Sequence, residues 1–155
     1  MSFLSFQTPL SRQYSKRYEQ LLEREIVGQG ESLLDVACGS SSPIRGFSAK
    51  IARTVGVDGF LPSLEKSKAA GIHSEYRQLN VLKVGEVFGD KAFDVVVGLD
   101  IIEHFSKEEG ARLLAEMERV ARKRVVIFTP NGFLPQEPYD GNEAQRHLSG
   151  WTVQE

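Results

Sequence analysis

The feature that most constrains this chain is a short apolar run that ends in an acid and then breaks into small residues. Residues 32–43 read Ser-Leu-Leu-Asp-Val-Ala-Cys-Gly-Ser-Ser-Ser-Pro, and a second apolar run ends at Asp58, 23 residues after Asp35. Such a loop receives a nucleotide-like ligand at the end of a buried strand, and an acid roughly 20 residues further on binds ribose hydroxyls. The two signals together predict a nucleotide-type site on neighbouring strands.

Strand-like runs alternate with helix-like runs through the middle of the chain. This alternation predicts an α/β fold with a doubly wound, mostly parallel sheet. The fourth and fifth runs are β-branched and lack polar alternation, which is typical of strands buried on both faces. The predicted strands are 32–37, 54–58, 75–80, 93–99 and 124–129.

Three segments carry helix signals. Pro62 and Gly71 bracket a helix over 63–70, because proline suits a first turn and glycine follows a last one. Ser106 and Glu109 have the spacing of a capping box, and the apolar residues after them recur at helical period. We interpret the basic run 119–124 as the C-terminus of that helix, where cations interact favourably with the negative end of the helix dipole. An amphipathic helix ahead of the sheet, packed on the domain or lying over its ligand mouth, is predicted from Tyr14, Tyr18, Leu21, Leu22 and Ile26.

Length and charge limit the classes of protein that fit. The chain has 155 residues and a net charge of −2, which predicts a single domain without the basic surface that binds nucleic acid or anionic membranes. Its one cysteine, Cys38, excludes an internal disulfide and a cysteine-rich metal cage, and we expect no metal site. The first six residues lack the pattern of a signal peptide, so a cytoplasmic location is the default expectation. Within the domain, we expect residues 1–28 to form an N-terminal helical segment and residues 130–155 a loop-rich tail.

The motifs resemble those of the class I S-adenosylmethionine-dependent methyltransferases. Residues 33–41 lie on the first motif of that family with only the central glycine, Gly39, kept. Residues 55–60 are similar to its second motif, and residues 79–82 fall where the adenine is contacted. The best match is Phe-Asp-Val-Val-Val-Gly-Leu-Asp-Ile-Ile-Glu-His-Phe at 93–105, which resembles the fourth-strand motif of the small-molecule, type 11-like branch.

The resemblance implies a Rossmann-like sheet in the order 3-2-1-4-5, with S-adenosylmethionine as the cofactor. It also implies methyl transfer to a small-molecule or glycan-linked acceptor, with a general base as an optional aid. The candidate bases are His104, Glu103 and His147. The implied cofactor-binding residues are Asp35, Ala37, Cys38, Gly39, Asp58, Gly59, Phe60, Asn80, Val81 and Leu99.

Several readings stay open at this point. Asp35 could instead cap the strand end, and His147 and Trp151 could pack the tail rather than contact a substrate. A loop that needs positive φ at position 37 or 41 would be strained, because Ala37 and Ser41 stand where the family has glycine. A non-catalytic subunit that keeps the cofactor fold is the alternative function. A nicotinamide dehydrogenase is the weaker rival, since two glycines of its fingerprint are absent.

The family usually adds a helix and two strands after the fifth strand, and the tail here has too much proline and glycine to supply them. We therefore expect a sheet of five strands and a short or truncated methyltransferase with an incomplete acceptor site. The open edge of the fifth strand would then be protected by the tail, by the N-terminal helix or by a second copy of the chain in a homodimer.

Overall fold

The structure is a computed structural model that describes the backbone of residues 9–155 and the side chains from residue 15 onward. The expectation about the first six residues, and the position of the Tyr14 side chain on the N-terminal helix, lie outside these described residues.

A five-stranded parallel sheet forms the centre of the fold. Its order is β3-β2-β1-β4-β5, which confirms the order predicted from the sequence. Every residue of β4 is buried, as its unbroken apolar run predicts. The strands are β1 (Ser32–Val36), β2 (Arg53–Asp58), β3 (Glu75–Gln78), β4 (Phe93–Leu99) and β5 (Ala121–Phe128).

Helices cover both faces of this sheet, so the fold is doubly wound. Leu22 and Ile26 of α1 pack with Leu33 and other apolar residues on one face. Leu113 and Met117 of α4 pack on the other. Leu21, predicted to share the buried face of α1, is instead 46% exposed. Within residues 9–155 the helices are α1 (Pro9–Ile26), α2 (Leu61–Ala69), α3 (Val84–Val87) and α4 (Lys107–Val120), with short 3-10 turns between several elements.

The start of α4 follows the prediction and its end does not. Ser106 and Glu109 form the expected capping box. However, β5 begins at Ala121, directly after the last helical residue, so only Arg119 of the basic run 119–124 lies in the last turn of the helix, and Arg122, Lys123 and Arg124 belong to the strand. A bulge in β5 places Arg122 and Lys123 together opposite Asp94, and both cations contact its carboxylate. The buried acid therefore determines where these cations lie, which local sequence could not reveal.

β5 is the last strand of the sheet within residues 9–155. α1 packs beside it, with the Tyr18 and Phe128 rings 4.4 Å apart and Arg124 Nη1 donating to Glu25 at 2.7 Å. The tail forms only isolated bridges and one short 3-10 turn, in agreement with the predicted loop. None of the helices in this part of the chain is long and apolar enough to cross a lipid bilayer.

Candidate functional site

The carboxyl ends of β1 and β2 meet at a loop that Asp58 organises. Oδ2 of Asp58 accepts the backbone N–H of Gly39 at 2.9 Å, and its Oδ1 accepts that of Phe60 at 2.8 Å. Both Ala37 and Gly39 have a φ of 58°. The strain expected at position 37 is therefore present, because alanine occupies a left-handed conformation that suits glycine. Asp58 holds the two ligand-facing loops at a fixed separation.

A cavity of about 390 Å³ opens at this junction. One wall is apolar, formed by Phe60, Val81, Ile101 and Phe105, while Asp58 supplies a carboxylate. The cavity brings together the predicted residues Ala37, Gly39, Asp58, Gly59, Phe60, Asn80 and Val81. In Asn80 the amide oxygen accepts the N–H of Leu82 at 3.0 Å, so it caps the next turn as well as lining the cavity.

A second cavity of about 470 Å³ adjoins the first and shares several of its wall residues. The small-residue loop after β1 forms one side, including Cys38, and the end of β4 with Leu99 forms another. The predicted bases Glu103, His104 and His147 all line it, and His104 lines both cavities. Among the predicted cofactor residues, only Asp35 lines neither cavity.

The tail supplies the remaining wall, and Trp151 fixes its path. A Cβ built on Gly110 of α4 would lie 2.5 Å from the Trp151 ring, so the glycine at this position makes room for the indole. The Lys107 ammonium lies 4.1 Å from the centre of that ring. The carbonyl of Glu103 accepts the N–H groups of Leu148 and Ser149 at 2.8 and 3.1 Å. Trp151 thus packs the tail, and it is not among the residues that line either cavity.

Glu103, His104 and His147 form a compact cluster. Glu103 is 2% exposed; its Oε2 accepts the Thr129 hydroxyl at 2.9 Å, and its Oε1 has no hydrogen-bond partner within the described chain. The two imidazole rings are 4.7 Å apart in an edge-to-face arrangement. His104 Nδ1 lies 3.2 Å from the carbonyl of Arg146, and His147 Nδ1 lies 2.6 Å from that of Leu134. A carbonyl can only accept, so each Nδ1 carries the proton.

Burial shifts the ionisation of this cluster. It raises the pKa of Asp100 to about 6, with the neighbouring Glu103 carboxylate adding to the rise. It also raises the pKa of Glu103 and lowers the pKa of His104, the latter against an opposing effect of the Arg146 carbonyl. Shifts of this kind are concentrated where polar groups serve ligands rather than the fold.

Asp35 and Cys38 have surroundings that the motifs did not predict. The Asp35 carboxylate is buried and lies 2.9 Å from Nε2 of His73. Gly56 of β2 provides the space, since a Cβ there would lie 2.7 Å from the His73 ring. Burial, and then the Asp35 charge, raise the pKa of the Cys38 thiol far above its usual range, so it is not a nucleophile at neutral pH. The structure therefore presents Asp35 as part of a buried pair.

Sequence reasoning missed Asp100, which lines both cavities, and His73, which lines neither but contacts Asp35. His73 is the partner of Asp35 across 38 residues, and no local pattern marks it. Asp100 lines both cavities, has a φ of 55°, and donates its N–H to the Phe128 carbonyl at 2.8 Å. Its position directly after a buried parallel strand was a usable signal.

Several solved structures with the same fold are described as methyltransferases. A SAM-dependent methyltransferase from Archaeoglobus fulgidus has a TM-score of 0.63 and 20% identity over 76% of this chain and 53% of its own. A putative methyltransferase from Bacillus halodurans has a TM-score of 0.69 and 19% identity over 87% and 62%. Magnesium protoporphyrin IX methyltransferase from Synechocystis, with bound SAM, has a TM-score of 0.64 and 18% identity over 94% and 71%. The chain thus spans about half the length of the first of these proteins.

A family profile described as a methyltransferase domain matches residues 34–129, well over half of the chain. No curated protein sequence matches the chain. The chain therefore belongs to the class I S-adenosylmethionine-dependent methyltransferase family, as its motifs predicted, and S-adenosylmethionine is the cofactor of this family. This membership sets the nicotinamide dehydrogenase reading aside.

Proposed function

We propose that this chain binds S-adenosylmethionine across the two adjoining cavities and transfers its methyl group to a small-molecule acceptor. The observation that supports it most is the sharing of walls between a cavity with the Asp58 carboxylate and a cavity with the Glu103, His104 and His147 cluster. A donor and an acceptor bound on either side of His104 would lie next to each other. Holding the donor and the acceptor side by side accounts for much of the rate acceleration of an in-line displacement.

The smaller cavity fits an adenosine. Asp58 would accept hydrogen bonds from the ribose hydroxyls, since its oxygens retain lone pairs after bonding Gly39 and Phe60. Phe60 and Val81 provide apolar surfaces for a flat base, and Asn80 an amide beside it. The loop residues Ala37, Cys38 and Gly39, with Leu99, would then surround the methionine part, while Gly59 lets the backbone approach closely. Asp35 would act on the cofactor only indirectly, by stabilising the strand beneath this loop.

The bound cofactor supplies an activated methyl group on a sulfonium that is already a good leaving group. The chain's residues are left to orient the acceptor and accept its proton. His104 is the residue best placed for the proton, because it alone of the three lines both cavities and its Nε2 carries the lone pair. His147 and Glu103 flank it, and Glu103 is fixed by the Thr129 hydroxyl.

The larger cavity, in which the acceptor would lie beside the methionine part of the cofactor, favours a small, partly apolar molecule. Leu134 and Tyr139 of the tail line it and are more than half exposed, so they offer apolar surface at the cavity mouth. The near-neutral charge of the chain does not favour nucleic acid as the acceptor. A small molecule or a glycan-linked intermediate is our proposal for the acceptor, and a cytoplasmic location and a homodimer through the β5 edge stay predictions.

Isothermal calorimetry with S-adenosylmethionine and S-adenosylhomocysteine tests the binding half of this proposal. We expect one site per chain for both ligands. Absence of heat with either would contradict the proposal and favour an interaction subunit. Incubation with methyl-labelled cofactor and a panel of small phenols, alcohols, amines and glycosides then tests transfer. Binding without transfer to any member would favour the non-catalytic alternative for this chain.

A further inference from the structure

The geometry points to a divalent transition-metal site formed by Glu103, His104 and His147 on the wall of the larger cavity. Each of the three can present one ligand atom, and these atoms all lie within 4.8 Å of one another. In a tetrahedral zinc site with bonds of about 2.0–2.1 Å, ligand atoms are about 3.4 Å apart. The three groups therefore lie near the spacing that one ion requires.

Both histidines have the hydrogen bonds of metal ligands. Their Nδ1 atoms face the carbonyls of Arg146 and Leu134, which fixes the proton on Nδ1 and leaves the lone pair on Nε2. Metal-bound histidines almost always have their second ring nitrogen held in this way, because the contact orients the ring. Two backbone carbonyls of the tail thus prepare two neutral imidazoles for coordination.

Glu103 adds an independent observation. Its side chain is buried, one oxygen is held by Thr129, and the other has no hydrogen-bond partner within residues 9–155. A buried carboxylate oxygen without a partner is costly, and most such groups in folded proteins are compensated. A cation held between Glu103 and the two imidazoles would compensate it.

The donor set indicates the kind of ion. Two imidazole nitrogens and one carboxylate oxygen suit Zn²⁺, Fe²⁺ or Mn²⁺, whereas Mg²⁺ and Ca²⁺ prefer all-oxygen sites. Three protein ligands leave at least one coordination position for an oxygen from the cavity. Asp100, whose carboxylate interacts electrostatically with Glu103 and both histidines, adds negative charge nearby. This inference does not require that the chain transfer methyl groups, and with an ion bound the Nε2 lone pair of His104 would hold that ion rather than accept the proton of the methyl acceptor.

Cobalt titration of the tag-free full chain, after dialysis against a chelator, tests the site by visible absorption. We expect d–d bands that saturate at one Co²⁺ per chain, and their loss when Zn²⁺ is added. His147→Ala and Glu103→Gln should each weaken Co²⁺ binding at least about 100-fold, since loss of a ligand should exceed the 10–100-fold cost of losing a supporting contact. Glu118→Gln, an exposed change on α4, is the matched control and should bind as the unaltered chain does.

Calorimetry with S-adenosylmethionine is run on the same variants without metal. Retained cofactor binding shows that a variant is folded, and it separates failure of the metal site from failure of the proposed function. The proposed metal site would be wrong if the Co²⁺ absorbance did not saturate at a defined ratio of metal to chain. It would also be wrong if His147→Ala and Glu103→Gln both left the Co²⁺ affinity unchanged. Glu103→Gln is nearly isosteric, so it keeps this test decisive should His147→Ala loosen the tail.

Discussion

Asp94 and Asp100 lie at opposite ends of β4 and have opposite properties. Asp94, near the start of the strand, accepts N–H groups from Glu31 and Ser32 and contacts two cations from β5. Asp100, just after the strand, has a raised pKa and lines both cavities. Two residues of one type, six positions apart, therefore serve the fold and the site separately.

The difference lies in how fully each end satisfies its polar groups. At the amino end, Gly30 leaves room for Asp94, since a Cβ there would lie 2.2 Å from the Cβ of that residue. The backbone N–H of Glu31, and then the neighbouring cations, hold the pKa of Asp94 far below its usual range. At the carboxyl end, Glu103 keeps an unpaired buried oxygen within the described chain. Groups that the fold leaves unsatisfied are those available to a ligand.

Asp94→Ala should have the largest effect on stability. The change leaves the N–H groups of Glu31 and Ser32 and the Arg122 guanidinium without their acceptor, and we expect a loss of about 3 kcal/mol in the free energy of unfolding. Urea unfolding at pH 7 measures it. Calorimetry at a temperature where the variant is folded should give unchanged affinity for S-adenosylmethionine. A loss of cofactor affinity without a loss of stability would contradict the assignment of Asp94 to the fold and of Asp100 to the site.

The isosteric change Asp94→Asn isolates the charge. Because the folded pKa of Asp94 is depressed, its contribution is present above about pH 4 and is lost as the pH falls below that value. We therefore expect the unaltered chain to lose stability between pH 4 and pH 2 more steeply than Asp94→Asn. Denaturation curves across this range give the comparison, and identical slopes would contradict it.

Asp58→Ala tests the carboxyl edge. Loss of charge-assisted hydrogen bonds to the ribose should weaken S-adenosylmethionine binding by about 1–3 kcal/mol, or about 5- to 150-fold in Kd. Asp58→Asn keeps one acceptor oxygen, so its affinity for S-adenosylmethionine should lie between those of the unaltered chain and Asp58→Ala. Asp90→Ala, which removes an exposed carboxylate outside both cavities, is the control. Equal calorimetric affinities for all four proteins would exclude Asp58 from the site.

Asp100→Asn should stabilise the fold slightly. A raised pKa means that the ionised carboxylate is disfavoured in the folded chain, so stability falls as the pH rises from about 4 through 6. Asparagine tolerates the left-handed backbone and carries no charge. We expect a gain of about 0.5 kcal/mol at pH 8 and none at pH 4, the gain being small because water screens this partly exposed group. An equal gain at both pH values would show that charge is not the cause.

Ala37→Gly should have an effect as small as that of Asp100→Asn. It relieves a left-handed alanine, which costs about 1–2 kcal/mol, while the greater freedom of glycine in the unfolded chain returns part of the gain. We expect a net stabilisation of about 0.5 kcal/mol by urea unfolding. A destabilisation would show that the Ala37 methyl makes contacts worth more than its backbone strain.

The sequence was sufficient where the signal was local. The capping box of α4 and the loop-and-acid pair of Gly39 and Asp58 follow from patterns within about 25 residues. The family resemblance, rather than local pattern, implied the strand order, and its motifs indicated Asn80 and His104, which line the same cavity. Periodicity and motif spacing are enough for the local elements.

What the local sequence did not reveal depends on pairing between distant segments. Arg122 and Lys123 of the basic run 119–124 lie opposite Asp94 because of the register of β4 and β5. The motifs indicated Asp35 but not that His73, from the segment before β3, contacts it. In each case the partner of a buried charge decides its surroundings, and that partner is known only once the register is fixed.

The direct passage from α4 to β5 has a consequence for chain length. Between Val120 and Ala121 there is no connecting residue, so an insertion there has no loop to enter, and side chains along β5 would exchange faces. The bulge at Arg122 and Lys123 already accommodates one residue more than β4 presents. Gain or loss of single residues should therefore be tolerated at the bulge, where removal of Lys123 would restore a regular ladder. The same change at the junction of Val120 and Ala121 should disrupt the fold. Deletion variants at the two places, compared for soluble yield, would show how narrowly this junction fixes the length of the chain.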